Sequence, residues 1–101
     1  MLEIDLRPEH LQAVQDLIRK YLPGIAVWAY GSRVNMTARD NSDLDLVAFT
    51  ASSTAAAVSA LRDAFDESNI PFLIDLHVWN EIPVNFHDQI QRRYVEIQPV
   101  E

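Results

Sequence analysis

Two aspartates one residue apart, Asp43 and Asp45, stand inside the apolar run "DLDLVAFT", residues 43–50. Strand side chains alternate between faces, so a strand here puts both carboxylates on one face and Leu44 and Leu46 on the other. Their α-carbons then lie roughly 6.6 Å apart. Carboxylates converging from there repel: at about 4 Å and an effective dielectric near 20 the cost is on the order of 4 kcal/mol. A divalent cation removes that cost. Hard oxygen donors suit Mg²⁺, whose shell is usually completed by substrate phosphates. A third carboxylate, Asp75 in "FLIDLHVW" (72–79), shares a face with Leu73, His77 and Trp79. If that strand lies beside 43–50, three carboxylates can hold two ions. Such a pair can activate an attacking oxygen and stabilise a leaving phosphate oxygen.

Upstream, Gly31 and Ser32 break the apolar run "IAVWAY" (25–30). Glycine lets the backbone approach a phosphate closely and takes dihedrals other residues avoid. Ser32 adds a hydroxyl. The segment "RVNMTARDNS" (33–42) reads as turn formers with one short helical turn, whose N-terminal amides favour anions. Arg33 and Arg39 either contact phosphate or balance the nearby acids. A triphosphate tail on Gly31-Ser32 would bring its inner phosphates to the aspartates. His77 reads as a sheet-face residue rather than a ligand. His10 and His87 read as solvated, Arg92-Arg93 as a solvated face or a partner contact, and Trp28 and Trp79 as core or partner-facing aromatics.

The elements that must position these residues follow from periodicity. "PEHLQAVQDLIRKYLPG" reads as a helix begun at Pro8 and stopped at Pro23-Gly24, with Leu11, Val14, Leu17, Ile18 and Tyr21 inward. Strands are expected at 25–30, 43–50 and 72–79. "STAAAVSALRDAFDESN" reads as a helix capped by Ser53 or Thr54, with Val58, Leu61, Ala64 and Phe65 inward. "PVNFHDQIQRRYVEI" reads as a last helix, with Phe86, Ile90, Tyr94 and Ile97 inward. The resulting order predicts an α+β, two-layer fold: a small mixed sheet with helices mainly on one face and the other face open to a ligand or partner. The whole chain, residues 1–101, is expected to form one domain.

Bulk properties narrow the function. With 49% apolar residues, 101 residues can form one packed core. The net charge of −7, with one Lys and seven Arg, argues against a nucleic acid polymer as ligand, because phosphate backbones are held by basic clusters. A nucleotide carrying its own metal is compatible with it. Absent cysteine removes disulfides and thiolate metal sites. Neither a membrane span nor a signal peptide is expected, and the default location is cytoplasmic.

Gly31-Ser32, ten residues, then Asp43-Leu44-Asp45 matches the GS-x10-DxD signature. The chain resembles the DNA polymerase beta superfamily of nucleotidyltransferases, specifically its minimal members, over about residues 25–80. "GSR", "TAR" and "SDLDL" stand at the family's usual places. The resemblance implies catalytic and metal-binding roles for Asp43, Asp45 and Asp75, with two Mg²⁺ ions. It implies nucleotide binding at Gly31, Ser32, Arg39 and Ser42, with ATP as substrate. Met36 stands where the family often has a second Gly. Stand-alone minimal members are paired with a helical HEPN protein as antitoxins, and some transfer AMP to a tyrosine of that toxin. The implied function is therefore a nucleotidyltransferase antitoxin. The alternative is a binding antitoxin that masks its partner with little or no transfer.

Overall fold

The computed structural model describes residues 3–39, 42–50 and 54–100. Helix α1 (Pro8–Tyr21) leads into strand β1 (Val27–Tyr30). Then come β2 (Leu44–Ala48), α2 (Ala55–Glu67), β3 (Ile74–Val78), a single 3₁₀ turn (Trp79–Glu81), α3 (Val84–Arg92) and β4 (Val95–Gln98). The sheet order is β3-β2-β1-β4. Strand β1 is antiparallel to β2 and to β4, while β2 and β3 are parallel. Parallel neighbours need a crossover, which α2 provides.

The mixed sheet and two-layer core agree with the sequence reading. Leu44, Leu46 and Ala48 of β2 face α1 and α2 together with Val27, Ala29, Leu76 and Ile97. Val14 and Ile18 of α1, and Val58, Leu61 and Phe65 of α2, close over them. Strand β3 is an edge. Arg62 on α2 donates from Nε and from a terminal nitrogen to the Leu76 carbonyl, at 3.0 and 2.7 Å, and so occupies an acceptor of that edge strand.

Two local expectations are corrected and one is met. The last helix ends at Arg92, and Val95–Gln98 pairs with β1 as a fourth strand. Phe86, Ile90, Tyr94 and Ile97 fit helical spacing, but "VEIQ" also alternates with period two. The unpaired edge of β1 decides the matter: its amides and carbonyls need partners. Arg93 turns the chain with an extended conformation. Ile97 therefore enters the core from a strand, while Phe86 and Tyr94 stay exposed. The short helical turn expected after Gly31-Ser32 is present, the Asn35 amide donating to the Gly31 carbonyl four residues back at 2.9 Å. Lastly, Thr54 caps α2 without a side-chain bond to its backbone, its hydroxyl meeting that of Thr50 instead; Ser53 lies outside the described residues.

The face away from α1 and α2 is not wholly open. Trp28 stacks on Tyr94 with ring centroids 3.7 Å apart. Trp79 meets Phe49 at 4.8 Å and stacks on His87 of α3 at 3.9 Å. His87 Nε2 also bonds the Trp79 carbonyl at 3.1 Å. The Trp79–His87 contacts tie α3 to the 3₁₀ turn that follows β3. Among the described residues no helix is long and apolar enough to cross a membrane.

The two alternative structures of the C-terminal segment order substitutions differently. Ile97→Ala, at a residue 4% exposed, should cost about 2–4 kcal/mol. Phe86→Ala, at a residue 47% exposed, should cost about 1 kcal/mol or less. Chemical denaturation of both variants checks the order, and a larger loss for Phe86→Ala would contradict strand β4.

Candidate nucleotidyltransferase site

The register of three strands assembles the carboxylates. Asp45 of β2 lies opposite Asp75 of β3 and opposite Tyr30 of β1. Adjacent strands run about 4.8 Å apart, so the two carboxylates face each other across one strand spacing. Asp43 precedes β2 by one residue, where the Leu44 amide donates to the Leu73 carbonyl at 2.9 Å. Asp45 is half-buried; Asp43 and Asp75 are exposed.

Electrostatics record the crowding. Burial pushes the Asp45 carboxyl above the usual carboxylate range. Asp75 and Asp43 push it the same way, and His77 opposes them. The Tyr30 phenol is pushed up to about 12, by burial first and then by Asp45 and Asp75. His77 is thus part of the electrostatic environment as well as a sheet-face residue. Among the described residues, no three carboxylate or imidazole groups converge tightly enough to hold a metal ion by themselves. The donor chemistry nevertheless suits Mg²⁺, which takes one or two carboxylates and fills its shell with water and substrate phosphates.

Gly31 abuts this cluster. Its φ is +86°, and a Cβ built on it would fall 2.5 Å from Asp45 Oδ2. Backbone conformation and space both demand glycine there. The turn then folds back on itself: the amides of Val34 and Asn35 both donate to the Gly31 carbonyl, at 3.0 and 2.9 Å, and that of Thr37 to the Ser32 carbonyl at 3.0 Å. Those amides are spent within the turn. The Ser32 amide has no partner among the described residues. Met36 has a φ of +59°, the conformation glycine favours. The turn keeps its form at a cost of about 1 kcal/mol.

Arg33 serves the backbone. It is 6% exposed. Its Nε and one terminal nitrogen both donate to the Ser42 carbonyl, at 3.0 and 2.8 Å. The other terminal nitrogen reaches the Asp5 carbonyl at 2.9 Å, and the guanidinium lies 4.2 Å from the Phe72 ring centroid. It therefore pins the chain one residue ahead of Asp43. Arg39 and Ser42 are tied to each other: the Arg39 amide donates to Ser42 Oγ at 2.8 Å, and the Ser42 amide to the Arg39 carbonyl at 3.0 Å. Arg39 lines a cavity with Asp5, Arg7, His10 and Phe72. Gly31 lines a different one, of about 340 Å³, with Tyr30, Asn35, His77, Phe86 and Arg93. The structure thus brings Gly31, Asp45 and Asp75 together and places Arg39 outside the cavity beside Gly31. Tyr30 joins that cavity without having been singled out by sequence, and Arg93, read from sequence as part of a solvated face, lines it too. Strand alternation marks Tyr30, whereas Arg93 depends on where α3 ends.

A four-stranded palm-like sheet with a Gly-Ser turn against paired aspartates defines a nucleotidyltransferase. Residues 2–96 match the family described as the Poly(A) RNA polymerase, mitochondrial-like, central palm domain. The chain is 35% identical over 100 residues to the probable protein adenylyltransferase MntA of Haemophilus influenzae, covering 98% of this chain and 88% of that one. The fold is also that of a toxin–antitoxin crystal structure with AMP-PNP, with a TM-score of 0.63 at 16% identity over 90% of this chain and 74% of that one. A complex of a tri-AMPylated Shewanella oneidensis HEPN toxin with MNT antitoxin matches with a TM-score of 0.57 at 13% identity, over 94% of this chain and 74% of that one. The chain belongs to the minimal nucleotidyltransferase family.

The raised Asp45 carboxyl has a consequence for stability. The native state binds this proton more tightly than the unfolded chain does. The ionised group is therefore destabilising above its native pKa, and the penalty disappears as pH falls below the unfolded-chain value. Asp45→Asn should raise the thermal midpoint of the metal-free protein near neutrality, by an amount that shrinks on acidification through the carboxylate range. Added Mg²⁺ should raise the midpoint of the wild type and not of the variant. Calorimetric melts with chelator and with Mg²⁺ check both, and a variant no more stable near neutrality would contradict the electrostatic reading.

Proposed function

We propose that the chain is a cytoplasmic antitoxin that transfers AMP from ATP to a tyrosine hydroxyl of a HEPN-type toxin. The observation that carries this reading is the placement of Gly31 against Asp45 in register with Asp75. The Haemophilus influenzae relative is named a probable protein adenylyltransferase, and the Shewanella oneidensis complex contains a HEPN toxin that is AMPylated.

Asp43, Asp45 and Asp75 are the residues that would hold two Mg²⁺ ions, which when bound supply neutralisation of the triphosphate and of the charge developing on the leaving oxygen. Gly31 lets the backbone meet the phosphates without a side chain between. Ser32 offers to the same oxygens its hydroxyl and an amide that has no partner among the described residues. Arg33 fixes the Ser42 carbonyl and hence the entry to β2. The acceptor hydroxyl adds to the α-phosphorus as the bond to the β-phosphate oxygen breaks, pyrophosphate leaves, and the Asp75 carboxylate takes the hydroxyl proton. Most of the acceleration comes from positioning and charge rather than covalent catalysis. The masking alternative drew its motive from Met36. That residue keeps the positive φ the turn needs, so no observation now favours masking over transfer.

The test is to incubate purified protein, a HEPN toxin encoded beside it, ATP and Mg²⁺, and to weigh the toxin intact. The toxin should gain one or more AMP units, with modification at tyrosine. Asp75→Asn should lower the rate at least about a hundredfold. A toxin that binds tightly and never gains mass would replace transfer with masking.

A further inference from the structure

The cavity beside Gly31 has Arg93 as its only Arg or Lys among the described residues. This matters in a chain of net charge −7, because a nucleoside triphosphate is a polyanion and the nearby aspartates add to the repulsion. Arg93 sits at the break between α3 and β4 and lines the cavity from there. Its Nε donates to the Val34 carbonyl at 3.3 Å, inside the turn that Gly31 and Ser32 begin. The side chain is thereby anchored by one nitrogen. Its two terminal nitrogens have no hydrogen-bond or ion-pair partner among the described residues. A planar guanidinium with its outer donors free suits bidentate binding of phosphate oxygens.

Part of the remaining lining bears on which phosphates these are, although Glu81 adds a carboxylate that makes a cation there the more necessary. Ile82, Pro83 and Phe86 give the cavity an apolar side, suited to a base or sugar. The α-phosphate must lie at the aspartates, where the bond changes occur. The turn, with Arg93 tethered to it, is where the outer phosphates fall. We infer that Arg93 binds the β- and γ-phosphates of the nucleoside triphosphate and selects triphosphates over monophosphates. This inference rests on the nucleotide-transfer reading of the same site and adds a binding residue from the opposite end of the chain.

The experiment is equilibrium titration of the full chain with AMP-PNP and with AMP, each with Mg²⁺, for wild type, Arg93→Ala and Arg93→Lys. Arg93→Ala should weaken AMP-PNP about ten- to a hundredfold, the range for hydrogen bonds to charged groups. AMP binding should stay within about twofold of wild type, because it has no outer phosphates. Arg93→Lys should recover part of the loss, since it restores charge but not the planar fork. Unchanged AMP-PNP affinity in Arg93→Ala would overturn the inference. So would equal losses for both ligands, which would mean that Arg93 only braces the turn through Val34. A wild type that binds neither nucleotide would instead overturn the transfer reading on which the inference depends.

Discussion

The site depends on the close approach between the Gly31 backbone and the Asp45 carboxylate. The 2.5 Å separation between a hypothetical Cβ and Asp45 Oδ2 leaves no room for any side chain. In the proposed transfer, that approach would let one sheet end serve two opposed functions, anion binding on the turn and cation binding on the strands. Each would need the other, because the carboxylates crowd one another and a triphosphate is repelled by them unless a cation intervenes.

The rest of the molecule holds that approach in place. The Leu44, Leu46 and Ala48 face locks β2 onto α1 and α2, and with period two this fixes Asp45 on the other side. The α2 crossover makes β3 parallel to β2, which brings Asp75 opposite Asp45. Arg33 secures the loop between turn and strand by gripping carbonyls of Ser42 and Asp5. A buried guanidinium whose donors meet backbone carbonyls is well satisfied, and it limits how far Asp43 can drift from Gly31. Strand β4 completes the sheet and releases Arg93 from the helix.

The placement of the Gly-Ser turn beside the aspartates was legible in the sequence because its signals are local. Gly31-Ser32 and Asp43-Leu44-Asp45 are separated by a fixed count, and alternation places each side chain on a face. Asp75 was legible for the same reason, given one assumption about which strands neighbour each other. The C-terminal strand was not legible, because Phe86, Ile90, Tyr94 and Ile97 satisfy helical spacing while Val95–Gln98 also alternates. What resolves it is the unpaired side of β1, more than sixty residues away in sequence. Arg33 was ambiguous because the hydrogen bonds that hold it run to the Ser42 and Asp5 carbonyls, which leave no trace in residue type. Arg39 stands near Ser42 in sequence but lines another cavity, so proximity to the motif overstated its place beside Gly31.

Gly31→Ala puts the defining contact under strain with the smallest change. Calorimetric titration of Mg·ATP into wild type and variant, with circular dichroism to confirm that both are folded, isolates its effect. The added methyl must displace either the turn or the Asp45 carboxylate, so Mg·ATP affinity should fall by at least about tenfold. A folded Gly31→Ala protein that binds Mg·ATP as tightly as wild type would contradict a single site shared by the Gly-Ser turn and the aspartates.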